Sequence, residues 1–172
     1  MNVIFLDFDG VLSTYHYNSL EDIERRIKVL AEICKEFNCK IVIEASSNDA
    51  IDEVTLDVMD NSWINELFKL FKKYNIECVG RTPNVEKTNY NSYLPMWKED
   101  EIIKYLEMHP EINHYCIIDD DDTKTLMHWK ISDLDKVRDH LVKTIYYSNN
   151  PDEEGLLSKH KDEISRILKK CI

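Results

Sequence analysis

Glycine and proline are scarce, three and four residues in a chain of 172. Flexible Gly-rich and stiff Pro-rich linkers therefore have little to be built from. Cysteine is sparse and odd in number: Cys34, Cys39, Cys78, Cys116 and Cys171, with no CxxC pair. That spacing excludes a disulfide framework and a zinc site, and reads as reduced thiols at core or strand positions of a cytoplasmic protein. Positive charge is short as well, with 22 Lys plus Arg against 33 Asp plus Glu and a net charge of −11. A general nucleic-acid coat is disfavoured, because affinity for phosphate backbones comes mainly from Lys and Arg; a local basic groove stays open. No apolar run approaches the roughly 18 residues that a membrane span needs. The opening Met1-Asn2-Val3-Ile4-Phe5-Leu6-Asp7 has no basic stretch and only a short apolar run, so it does not read as a signal peptide. Internal repeats and low-complexity tracts are absent too.

What remains is a globular composition, 43 % hydrophobic and 32 % charged. The length suits one domain, 1–172, with a core of its own. Short apolar runs alternate with helical periods, which predicts an α/β fold with a mainly parallel sheet. Strands are expected at Val3–Asp7, Ile41–Ile43, Glu77–Val79, Tyr115–Ile118 and Leu141–Lys143. Ser19, with Asp22 three residues on, starts a helix whose Ile23, Ile27, Leu30, Cys34 and Phe37 share one face. Ser62 caps a second helix carrying Ile64, Leu67, Phe68 and Phe71. Glu99–Glu107 and Leu156–Lys170 complete the set, while Asn48–Asp60 and Thr82–Tyr93 read as loops or turns. Trp63, Trp97 and Trp129 are assigned to the core.

Two strands end alike, in Leu6-Asp7-Phe8-Asp9-Gly10 and in Ile118-Asp119-Asp120-Asp121-Asp122. Ligands of open parallel sheets bind beyond the carboxyl ends of the strands. If these two strands are neighbours, Asp7, Asp9, Asp119 and Asp120 converge there. Carboxylates crowded together raise one another's pKa unless a cation separates them. Hard oxygen ligands at an open site suit Mg²⁺. Gly10 lets the backbone turn tightly and approach an anion. Each run alone is also a turn or a solvated acidic loop; their conjunction after two apolar strands is what points to a metal and a phosphate together. His109, His114, His128, His140 and His160 show no ligand spacing, and Tyr15-His16-Tyr17 reads as aromatic packing under a β-turn, with contact to a substrate's leaving group as the other reading.

Phe5-Leu6-Asp7-Phe8-Asp9-Gly10-Val11-Leu12 resembles the first motif of the haloacid dehalogenase-like (HAD) superfamily, whose phosphatases carry hhhhDxDGT/V-L after the first strand. The second motif, a Ser or Thr after the next strand, is met by Ser46, with Ser47 one step off. The third, a basic residue at a helix, is met by Lys98 in Lys98-Glu99-Asp100-Glu101-Ile102, similar to the R-x-x-E-I of a small subgroup; Lys87 competes for it. Asp119-Asp120 fits the fourth motif, and Thr82-Pro83 and Gly155-Leu156-Leu157-Ser158 match further features of that subgroup. The subgroup resembles the HAD domain of RNA-repair proteins. One departure stands out: Asn48-Asp49 replaces the Trp-Arg that follows the paired serines there.

The resemblance implies a Rossmann-like three-layer α/β/α fold and a Mg²⁺-dependent phosphatase. Asp7 would be the nucleophile that forms an aspartyl-phosphate, and Asp9 the general acid and base. Mg²⁺ would be held by Asp7, the Asp9 main-chain carbonyl and the Asp119-Asp120 pair. Ser46 and Gly10 would hold the substrate phosphate, and Lys98 would bind it and stabilise the transition state. The intervals between motifs leave no room for a large cap domain, about fifty residues from Asn48 to Lys98 being taken mostly by a helix and a strand. An open site suits a phosphorylated small molecule or a nucleic-acid end. Two alternatives stay open: an inactive HAD-fold module that binds a phosphorylated ligand or protein, and an unrelated receiver-like domain, which the DxDG order disfavours.

Overall fold

The computed structural model describes residues 1–45, 50–52, 55–59, 62–83, 98–121 and 137–169. Five strands form one sheet in the order β3-β2-β1-β4-β5: β1 (Asn2–Leu6), β2 (Cys39–Ile43), β3 (Cys78–Arg81), β4 (His114–Asp119) and β5 (Leu141–Lys143). Every pairing is parallel, with Leu6 opposite Ile43 on one side and Ile118 on the other. Runs such as Val3-Ile4-Phe5-Leu6 and Ile41-Val42-Ile43 are apolar at every position because both faces of the sheet are covered.

Alternation sorts these side chains onto two layers. Ile4, Leu6, Ile41, Ile43 and Ile118 pack with α1 (Leu20–Phe37), α2 (Ser62–Lys73) and α4 (Lys161–Lys169). Val3, Phe5, Val42 and Ile117 pack on the other side with Ile102 and Tyr105 of α3 (Lys98–Met108). The three-layer expectation holds. Helix α1 starts as its sequence predicts: Ser19 Oγ accepts from the Asp22 N–H at 3.2 Å and Asp22 Oδ2 accepts from the Ser19 N–H at 3.3 Å.

Several boundaries differ from expectation. β3 runs two residues further, since the Thr82 N–H still donates to Ile43 O at 2.9 Å. Ser62 is the first residue of α2 rather than a residue preceding it. The last helix begins at Lys161, not at Leu156. There the backbone is held elsewhere: Gly155 has φ +72°, the Leu156 N–H donates to Val11 O at 2.8 Å, and a 3-10 turn occupies Ser158–His160. Inside the expected loop at 48–60, Ile51 is buried and bridges to Val58. Trp63 is partly buried, with its ring 5.5 Å from that of Phe8; Trp97 and Trp129 lie outside the described residues. Cys34, Cys39, Cys78 and Cys116 are free thiols. Among the described residues no helix is long and apolar enough to cross a membrane.

Candidate active site

Strand order reverses between β1 and β4, because the chain builds β2 and β3 on one side of β1 and returns to build β4 and β5 on the other. This is where ligands of open α/β sheets bind. The hydrogen-bond ladder continues one residue past the strand ends. The Asp7 N–H donates to Ile118 O at 3.1 Å, the Glu44 N–H to Leu6 O at 2.9 Å, and the Thr144 N–H to Asp119 O at 2.9 Å. Asp7, Glu44 and Asp119 are therefore neighbours across the sheet edge. The pleat fixes their side: Asp7 continues the Val3–Phe5 series, Glu44 follows Val42 and Asp119 follows Ile117, all on the face covered by α3. Helix α3 starts at Lys98, which points its ammonium into this row.

Lys98 Nζ donates to Asp119 Oδ2 at 2.7 Å and to Asp7 Oδ2 at 3.1 Å. It lies 3.8 Å from Glu44 Oε2 and 3.9 Å from Asp121 Oδ2. Asp7 Oδ1 accepts from the Phe8 N–H and Asp119 Oδ1 from the Asp121 N–H, both at 2.8 Å. One carboxylate oxygen from each of Asp7, Asp119 and Asp120 lies within 4.8 Å of the other two. Glu44 is buried, and its Oε2 has no hydrogen-bond partner.

One ammonium faces more negative charge than it can neutralise. Burial pushes the Asp7 carboxyl up to about 8; Lys98 pulls it down and Asp119 adds to the rise. Glu44 and Asp119 are raised by the same burial, and Asp120 is pushed up to about 6. Burial also opposes the charge on Lys98, but the carboxylates of Glu44, Asp7 and Asp119 outweigh it and hold the ammonium charged. An all-oxygen donor set from Asp7, Asp119 and Asp120 with surplus negative charge fits a hard divalent cation such as Mg²⁺.

The structure thus brings Asp7, Asp119, Asp120 and Lys98 together. Asp9 stands apart: its side chain is exposed on the turn in which the Val11, Leu12 and Ser13 N–H groups converge on Phe8 O, and it is not among the three clustered carboxylates. Gly10 has φ +75°, and a Cβ there would sit 2.1 Å from Asp120 Cγ. What approaches Gly10 closely is the Asp120 side chain. Ser46, Ser47 and Lys87 lie outside the described residues. His16 does pack among aromatic rings, stacked on Tyr147 at 5.5 Å, and its Nδ1 pairs with Glu154 Oε1 at 2.6 Å. Sequence reasoning missed Glu44 and Asp121. Glu44 occupies the same pleat parity one strand over from Asp7, but nothing local in the sequence marks that parity as facing the site.

The model of the HAD domain in Swiss Army Knife RNA repair proteins matches residues 3–148, which include Asp7, Lys98, Asp119 and Asp120. No curated protein and no solved structure matches the chain. A doubly wound sheet with paired strand-end carboxylates and a match over most of its length make this chain a member of the HAD superfamily, in the family of HAD domains found in Swiss Army Knife RNA repair proteins.

Proposed function

We propose that this chain is a Mg²⁺-dependent phosphomonoesterase that works through an aspartyl-phosphate on Asp7. One observation carries the reading: at the switch point Asp7 touches Lys98 Nζ at 3.1 Å while one of its oxygens lies within 4.8 Å of one oxygen each of Asp119 and Asp120. Family membership supports phosphohydrolase-type chemistry, and the family's description, RNA repair proteins, favours a nucleic-acid end as substrate.

An Asp7 oxygen attacks phosphorus and the ester P–O bond breaks, with Asp9 giving its proton to the leaving oxygen. Asp9 then takes a proton from water, which attacks the phosphoenzyme and releases inorganic phosphate and free Asp7. Its exposed place on the turn suits this exchange, because both leaving group and water arrive from solvent. The Lys98 ammonium offsets charge that accumulates between Asp7 and the phosphoryl group. Ser46 holds a phosphate oxygen. Asp7, Asp119, Asp120 and the Asp9 carbonyl would hold Mg²⁺, whose charge lets an anionic nucleophile meet an anionic substrate.

The test is phosphate release from p-nitrophenyl phosphate and from a 3′-phosphorylated oligonucleotide, with Mg²⁺ and with EDTA, in wild type and Asp7→Asn. Turnover that needs both the metal and Asp7 is expected. Release that persists in EDTA or in Asp7→Asn, or no release from either ester, would overturn the reading; phosphate binding without release would favour a sensing module.

A further inference from the structure

Seven large apolar side chains are exposed among the described residues, and four of them, Tyr15, Ile145, Tyr146 and Tyr147, gather in one place. The rings interlock edge to face. Tyr15 stands 6.4 Å from Tyr146 and 5.1 Å from Tyr147, and the half-exposed His16 stacks on Tyr147. Tyr15, Tyr146 and Tyr147 are 57 %, 45 % and 54 % exposed, so ring faces remain open to solvent.

The patch is built rather than incidental. Behind it lies Glu154, fully buried, whose carboxylate accepts from the His16 N–H at 3.1 Å and the Ser148 N–H at 2.9 Å besides the His16 ring. Burial works against its charge, yet the hydrogen bonds from Ser148 and His16 overcome it and hold the carboxyl down at about 2. Buried Arg26 ties the same loops, donating to Thr14 Oγ1 at 3.1 Å and Glu154 O at 3.2 Å. The Tyr15 N–H donates to Tyr146 O at 3.0 Å, which fixes the two ring-bearing segments side by side. A buried charge is costly to hold, and here it positions exposed aromatic rings.

Both segments leave the sheet at the edge that carries Asp7. Tyr15 follows Asp9 on the turn after β1. Tyr146 stands two residues beyond Thr144, whose N–H bonds Asp119 O at 2.9 Å; two residues of chain reach at most about 8 Å. The backbone that carries the rings therefore runs beside the carboxylate site, at its rim. We propose that this rim is a stacking subsite for a nucleobase of the phosphorylated substrate, a deepening that rests on the phosphatase reading. A nucleobase is set off from its phosphate by the sugar, which suits rings beside the phosphate site rather than on it. Stacking needs no positive charge, which matches a chain of net charge −11 with no Lys or Arg in the patch. The chemistry suits one or two bases next to the terminal phosphate rather than a long strand.

The experiment compares a 3′-phosphorylated dinucleotide with ribose 5-phosphate, in Mg²⁺, by kcat/KM in wild type and by direct binding to the Asp7→Asn protein. Base stacking predicts roughly 5- to 150-fold preference for the dinucleotide. The preference should collapse toward one in the Tyr15→Ala/Tyr147→Ala double variant and survive in Tyr15→Phe/Tyr147→Phe, which keeps the rings. Preferential binding that persists without turnover would sink the phosphatase reading and leave the subsite standing. Equal binding of both compounds by the Asp7→Asn protein, as expected of a protein-docking patch, or a preference that survives loss of both rings, overturns the subsite.

Discussion

At Gly10 two constraints meet in one residue. Its φ of +75° is a conformation that costs any L side chain about 1–2 kcal/mol. A Cβ would also press within 2.1 Å of Asp120 Cγ. Gly10→Ala should therefore lower folding stability by about 1–2 kcal/mol and weaken Mg²⁺ binding, because Asp120 must swing away. Urea denaturation and calorimetric Mg²⁺ titration measure the two effects; lost stability with unaltered Mg²⁺ affinity would remove Asp120 from the cation site. Single residues also show what was readable. Asp7 and Asp119 were legible because each ends an apolar run in a chain that alternates strands and helices. Glu44 was not, since Ile41-Val42-Ile43-Glu44-Ala45 reads simply as a strand giving way to a loop. Its place at the site depends on α3 covering that face and bringing Lys98 within 3.8 Å, a tertiary fact that no local pattern carries.

Elements were legible in type and less so at their ends. Helix α1 carried both its signals in sequence, an apolar stripe and a capping pair, and both are present in the fold. Ser19→Ala removes the acceptor for the Asp22 N–H and should cost about 1 kcal/mol. A urea midpoint unmoved from wild type would mean that water replaces the cap without loss. The final helix shows the opposite case. The apolar pair Leu156-Leu157 continues a helical period on paper, but the Leu156 N–H is committed to Val11 O and Gly155 holds φ +72°, so the helix starts five residues late. A long-range tie between the end of the chain and the loop after β1 decided that boundary. The same tie carries the aromatic rim, which is why Tyr15 and Tyr147, far apart in sequence, gave no joint signal.

For the molecule as a whole, the site sets a pH dependence of stability whose sign follows from burial. Asp7 titrates near 8 in the folded chain and near 3.9 when unfolded. The folded state thus keeps a proton that the unfolded state has lost. That contribution is complete below about pH 4 and disappears as pH rises through 8. Glu44 and Asp119 shift the same way. Glu154, held near 2, adds stability that is constant through this range, and His160, lowered by burial, penalises folding only below its ordinary range near 6.5. Between pH 6.5 and 8.5 in EDTA, Asp7 alone should cost on the order of 2 kcal/mol. The buried thiols Cys34 and Cys39, pushed up to about 12, act in the same direction, but they are common to wild type and Asp7→Asn. The difference between those two proteins reports on Asp7 together with the carboxylates and the ammonium it is coupled to. Urea denaturation should show wild type weakening at pH 8.5 more than the variant does. Mg²⁺ should restore the loss at pH 8.5 and do little at 6.5, since only ionised carboxylates bind it and binding to the folded state alone stabilises it. A wild type as stable at pH 8.5 as at 6.5 in EDTA would mean that Lys98 already satisfies the cluster. The site would then have no electrostatic need of a metal, and the case for a cation between Asp7, Asp119 and Asp120 would lose its physical ground.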